Sequence, residues 1–175
     1  MNINETKCFV KQIYLLRKKR KTYYHSKRVA ILCKKFTDNI HSVNGELVEK
    51  AALLHDIGKT ENIKGKHNRK ERVRTVLKKW NYDDEMINDI IKIISYHRGK
   101  NFKPNSFPIE CSILRICDKL DKFEKEKLEI IEICEKNMNK IRKLLAEHPN
   151  DLNKFEETYI DLLKKILLNY PKLNL

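Results

Sequence analysis

The sequence predicts an all-α protein, a single-domain bundle of about seven to eight helices. Three observations carry that prediction. Apolar residues recur at three- and four-residue spacing along nearly all of the 175 residues, the period of a helix that buries one face. Glycine and proline number only four each, too few to turn the many tight corners of a sandwich or barrel. The longest apolar run, Val29 to Cys33, has five residues, whereas a membrane span needs ~20. With 41% apolar residues, a chain of this length has the material for one sizeable core.

The elements follow in order. A first helix is predicted from about Glu5 to Lys19. A second runs from about Thr22 to Asn39, with Val29, Leu32, Cys33, Phe36 and Ile40 inward. His25 lies on that stripe, one turn before Val29. A third covers Glu46 to Ile57, with Leu47, Ala51 and Leu54 inward and Gly58 as its stop. A fourth spans about His67 to Trp80 and a fifth about Asp83 to His97, the latter carrying Ile87, Ile90, Ile91 and Ile94. Two of the four prolines place a loop at Lys100 to Pro108. A sixth helix takes Ile109 to Leu120. A long seventh segment spans Lys122 to Ala146, and after Pro149 an eighth runs from Asp151 to Asn169. The last two, about 122–170, are expected to form an antiparallel hairpin that caps the domain.

Charge and cysteines narrow the function classes. Lys and Arg total 38 against 24 Asp and Glu, a net charge of +14. Residues 6–37 hold eleven Lys or Arg and no acid, and 64–79 hold eight with Glu71 alone opposing them. Such a field attracts polyanions, or it is simply a solvated basic face. The five cysteines form no C-x-x-C pair, which argues against a zinc knuckle or a thioredoxin-type site. Cys33, Cys117 and Cys134 fall on apolar stripes, as buried thiols do in a reducing compartment. No signal peptide or membrane segment is read, so a cytoplasmic protein is expected.

A few polar residues sit where core residues belong. His55 and Asp56 follow the wholly apolar Ala51 to Leu54 in AALLHDIGK. Asp118 is surrounded by Ile113, Leu114, Ile116 and Cys117. His97 closes the stripe of Ile90, Ile91 and Ile94, and His67 opens the fourth helix. Burying charge unpaired is costly, so such groups normally pair or bind a metal. A set of imidazoles and carboxylates suits iron, manganese, zinc, nickel or cobalt.

Taken in chain order, His25, then His55-Asp56, then Asp118 resemble the HD superfamily of metal-dependent phosphohydrolases. HSKRVA is similar to that family's opening helix, LLHDIGK to its signature doublet and RICDKLD to its closing aspartate motif. Residues 66–99 resemble its two-helix stretch between extra histidines. The likeness covers about 22–124. It implies a metal site of His25, His55, Asp56 and Asp118. His67 and His97 would hold a second ion, bridged to the first by Asp56. His67 follows His55 by only twelve positions, a tight connection, and the site is mononuclear if His67 faces away. The resemblance also implies hydrolysis of a phosphoester or phosphoanhydride by metal-activated hydroxide. Lys59 would contact phosphate or act as an acid. Arg28, Arg98, Lys119 and Asp121 stand near ligands as candidate substrate contacts, and Asp121 is also a candidate partner of a ligand.

Three functions follow as expectations. The first is a phosphohydrolase acting on a small phosphorylated or nucleotide-like substrate. The second is an HD-type nuclease for single-stranded nucleic acid, compatible with the basic field. The third is a non-catalytic nucleic-acid-binding module, which leaves the histidine set without a role.

Overall fold

The computed structural model describes residues 2–38, 40–59, 69–96, 107–122 and 127–168. Among these residues eight helices follow one another: α1 (Ile3–Leu16), α2 (Arg20–Thr37), α3 (Gly45–Leu54), α4 (Arg69–Lys79), α5 (Asp84–Tyr96), α6 (Pro108–Leu120), α7 (Lys127–Leu144) and α8 (Pro149–Leu168). A short 3-10 turn, Ile57–Lys59, follows α3. Among the described residues there is no strand. No described helix is long and apolar enough to cross a membrane.

Local chemistry sets several helix ends. α1 starts two residues before its predicted start because Asn2 caps it. The Asn2 side chain accepts the N–H groups of Asn4 and Glu5, and the Glu5 carboxylate accepts that of Asn2. Asn44 caps α3 by accepting the Leu47 N–H at 3.0 Å. Pro108 opens α6, where its missing N–H costs nothing. α1 ends in a left-handed residue, Lys18 (φ 54°). The Lys18 and Lys19 N–H groups return to the carbonyls of Leu15 and Tyr14, so the chain reverses into α2 within three residues. Asn81 (φ 55°) ends α4 by the same bonds, with Tyr82 closing onto Leu77.

α3 is the axis of the core, with every residue from Leu47 to Leu54 buried. α1, α2, α5 and α6 pack around it. α2 contributes Val29, Ala30, Cys33 and Phe36, and α5 contributes Ile87, Ile90, Ile91 and Ile93. The close approach of α2 and α3 has a local cause: a Cβ at Gly45 would lie 2.9 Å from Thr37 Oγ1.

The two last helices dock on different partners. α7 lies on α6 with Cys134, Met138 and Ile141 buried, and Leu145 follows them just after its end. α8 lies on α2, where the Phe155 ring meets Phe36 at 4.8 Å. Between them, Arg142 donates to Glu156 at 2.6 Å and Tyr159 donates to Glu135 at 3.2 Å. Burial pushes the Tyr159 phenol well above its ordinary range.

Candidate metal centre

Three elements meet at the centre: the first half of α2, the end of α3 and the last turn of α6. His25 and Arg28 lie one turn apart on α2. Asp118 and Asp121 lie one turn apart at the end of α6. His55 and Asp56 follow α3 directly. The sequence reading carried the third helix through Ile57 to a stop at Gly58. The structure ends it at Leu54, and His55 is its C-cap. The cause is the His55 side chain, whose Nδ1–H donates to the Ala52 carbonyl at 2.7 Å. That bond satisfies a carbonyl at the helix end and fixes the ring with its Nε2 lone pair facing inward.

The inward atoms converge. His25 Nε2 lies 3.2 Å from His55 Nε2 and 3.0 Å from Asp118 Oδ1. His55 Nε2 lies 3.4 Å from the same oxygen. Asp56 stands slightly further out, with Oδ1 3.7 Å from His55 Nε2 and Oδ2 4.0 Å from His25 Nε2. His55, Asp56 and Asp118 are all buried. Two atoms bound to one ion at ~2.1 Å, about 90–110° apart, are separated by ~3.0–3.4 Å. The three shortest spacings have that value. His25, His55 and Asp118 each offer a ligand atom to one point. The donor set, two imidazoles and carboxylates, fits a divalent transition metal.

The electrostatics support this. With each Nδ1–H donating outward, either a proton on Nε2, which makes the ring cationic, or a metal cation is needed to hold the two nitrogens and the carboxylate oxygen in contact. Burial would raise the Asp118 carboxyl, but hydrogen bonds from His25 and His55 override it and hold the group far below the usual range. It therefore remains a carboxylate, the state a metal ligand needs. Burial lowers His25, and its hydrogen bonds to Asp118 and Asp121 reverse that into a net rise.

A second layer orients the first. His25 Nδ1–H donates to Asp121 Oδ2 at 2.7 Å. Arg28 grips both oxygens of Asp121, with Nε at 2.6 Å and Nη2 at 2.9 Å. Asp121 is thus a partner of the ligand His25, with both oxygens engaged from within the protein. Burial tends to raise its carboxyl, but His25 and Arg28 hold it below the ordinary value. Lys59 pairs with Asp56 Oδ2. Lys122 pairs with Asp118 Oδ1 at 2.6 Å. The sequence reading did not single out Lys122, although its spacing, one turn after Asp118, was visible. Lys119 stands differently: its charge acts on the Cys134 thiol of α7, which burial pushes up to about 12. His67, His97 and Arg98 lie outside the described residues.

The HD domain family model matches residues 22–123. Neither a curated protein nor a solved structure matches the chain.

Proposed function

The chain belongs to the HD domain family, and from that premise we propose that it is a metal-dependent phosphohydrolase acting on a phosphoester or phosphoanhydride. One observation carries the reading: the inward convergence of His25 Nε2, His55 Nε2 and Asp118 Oδ1. These three residues and Asp56 would hold the ion. When bound, such an ion lowers the pKa of water and polarises phosphoryl oxygens.

The protein's own groups supply the rest. Asp121 and Arg28 keep the His25 ring in the tautomer and orientation that leaves Nε2 for the ion. The Ala52 carbonyl does the same for His55. Lys59 and Lys122, with side chains 41% and 43% exposed, present ammonium groups from the carboxylates toward solvent. They would meet the oxygens of an incoming phosphate. No side-chain nucleophile is needed. The thiol beside Asp118, Cys117, is buried and held well above its ordinary pKa, chiefly by burial, so it carries no thiolate. Water is the remaining nucleophile.

A nuclease reading is favoured by one feature, the five consecutive basic residues 17–21 that span the α1–α2 turn and the first residues of α2. They offer phosphate-backbone contacts near the helix that carries His25. One experiment tests both readings. The purified protein is assayed for metal content, then given mononucleotides, dinucleoside polyphosphates, single-stranded DNA and RNA with Mn²⁺, Zn²⁺, Ni²⁺, Co²⁺ or Fe²⁺. Release from small substrates, lost with chelator and in Asp118→Ala, supports the phosphohydrolase. Cleavage of strands alone supports the nuclease. No turnover of either class with any metal overturns both.

A further inference from the structure

α2 has a second working face. Residues turn by ~100° along a helix, so Tyr23, Lys27, Ala30 and Lys34 point away from His25. There, between α1, α2 and α3, lies a cavity of about 690 Å³. That size is typical of pockets for small organic ligands. Ala30 and Leu53 are buried at its floor, and Tyr23 and Ile31 extend the apolar wall. Ala30 leaves the space open where a larger residue would fill it.

The rim is basic. Five lysines face two carboxylates, and Lys7–Glu49 (2.8 Å) and Lys34–Asp38 pair off. Lys11, Lys27 and Lys35 are exposed and make no ion pair among the described residues. The Tyr23 hydroxyl and the Cys8 thiol are the uncharged polar groups of the lining.

We propose that this cavity binds a small organic anion with an apolar body, a carboxylate or phosphate on a hydrocarbon or aromatic frame, at a site separate from the metal centre. The apolar frame enters over Ala30 and Leu53. The anionic head meets the ammonium groups of Lys11, Lys27 and Lys35, which make no ion pair among the described residues. Neither the metal centre nor the phosphohydrolase reading is needed for this site.

The test uses the full chain at low salt and 8-anilinonaphthalene-1-sulfonate as a fluorescent probe. The expected result is saturable binding of one probe per chain. Dodecanoate below its micelle concentration displaces it, and equal inorganic phosphate does not. The triple variant Lys11→Ala, Lys27→Ala, Lys35→Ala, made at exposed positions, weakens binding at least tenfold. Ala30→Phe abolishes it. Cys8 lines the cavity and is exposed, so alkylation by iodoacetamide should slow several-fold with dodecanoate in the unaltered protein. That readout needs no variant. Non-saturable probe binding, or dodecanoate without effect on both displacement and Cys8 alkylation, overturns the proposal. Displacement by a single-stranded oligonucleotide but not by dodecanoate also overturns it and makes this face a nucleic-acid surface.

Discussion

Asp121→Ala should loosen the metal without touching a ligand. The His25 ring is held by one strong bond outside the centre, Nδ1–H to Asp121 Oδ2 at 2.7 Å. Without it the ring is free to rotate, and Nε2 no longer has a fixed direction. Outer partners of this kind are worth ~10–100-fold in metal affinity, or ~1.4–2.8 kcal/mol. The Arg28 pair adds less. The Arg28 side chain is 58% exposed, and an exposed ion pair is worth ~0–1 kcal/mol. Arg28→Ala should therefore weaken metal by ~5-fold at most. Asp121→Asn keeps an oxygen acceptor for Nδ1–H and should recover most of the loss. Competition with a chromophoric chelator measures all three for Zn²⁺ and Mn²⁺ at fixed pH, with Tm as the folding control. If Asp121→Ala binds metal within twofold of the parent, the orientation argument fails. It also fails if Asp121→Asn is as weak as Asp121→Ala.

Asp56→Ala and Lys59→Ala should fail differently. The first should lose metal and turnover together. The second should keep metal and lose ~2–4 kcal/mol of transition-state stabilisation, read by metal analysis beside kcat/KM. Glu110 is buried, and burial raises its carboxyl above its ordinary range. The folded protein thus binds a proton more tightly there than the unfolded chain. Stability from this group is complete below the unfolded value and is lost as pH rises through the folded one. Glu110→Gln should therefore raise Tm at pH 7 and not at pH 4; an equal gain at both refutes the assignment. Among the cysteines, Cys8 alone is exposed, and burial drives the Cys111 thiol up to about 12. A thiol reagent should label one of five rapidly in the native protein and all five in denaturant. Lys18→Gly should stabilise by ~1 kcal/mol in denaturant melts, because glycine enters the left-handed region without a Cβ clash.

The helices were legible in the chain because burial on one face is a local pattern. The stripe of Val29, Cys33 and Phe36, and that of Ile87, Ile90, Ile91 and Ile94, need only the helical period to be read. The metal candidates were legible for a related reason. His55, Asp56 and Asp118 are polar groups in apolar company, and with His25 and the strings around them, HSKRVA, LLHDIGK and RICDKLD, they marked the family. Helix ends were less legible. The chain has few glycines to signal them, and Lys18 and Asn81 adopt the left-handed turn instead. The end of α3 was missed because a side chain made it, with His55 turning back onto the Ala52 carbonyl.

What the tertiary structure decided was which groups meet. His25 and Asp121 are 96 positions apart, and no spacing rule relates residues on α2 to residues after α6. Their contact comes from α2, α3 and α6 sharing one core. The cavity behind α2 has the same origin. Its lysines were visible as excess charge, and the Lys34–Asp38 pair has local i,i+4 spacing, but Lys7 meets Glu49 only because α1 packs against α3. Periodicity is a property of neighbours in the chain, whereas a binding site is a property of neighbours in space.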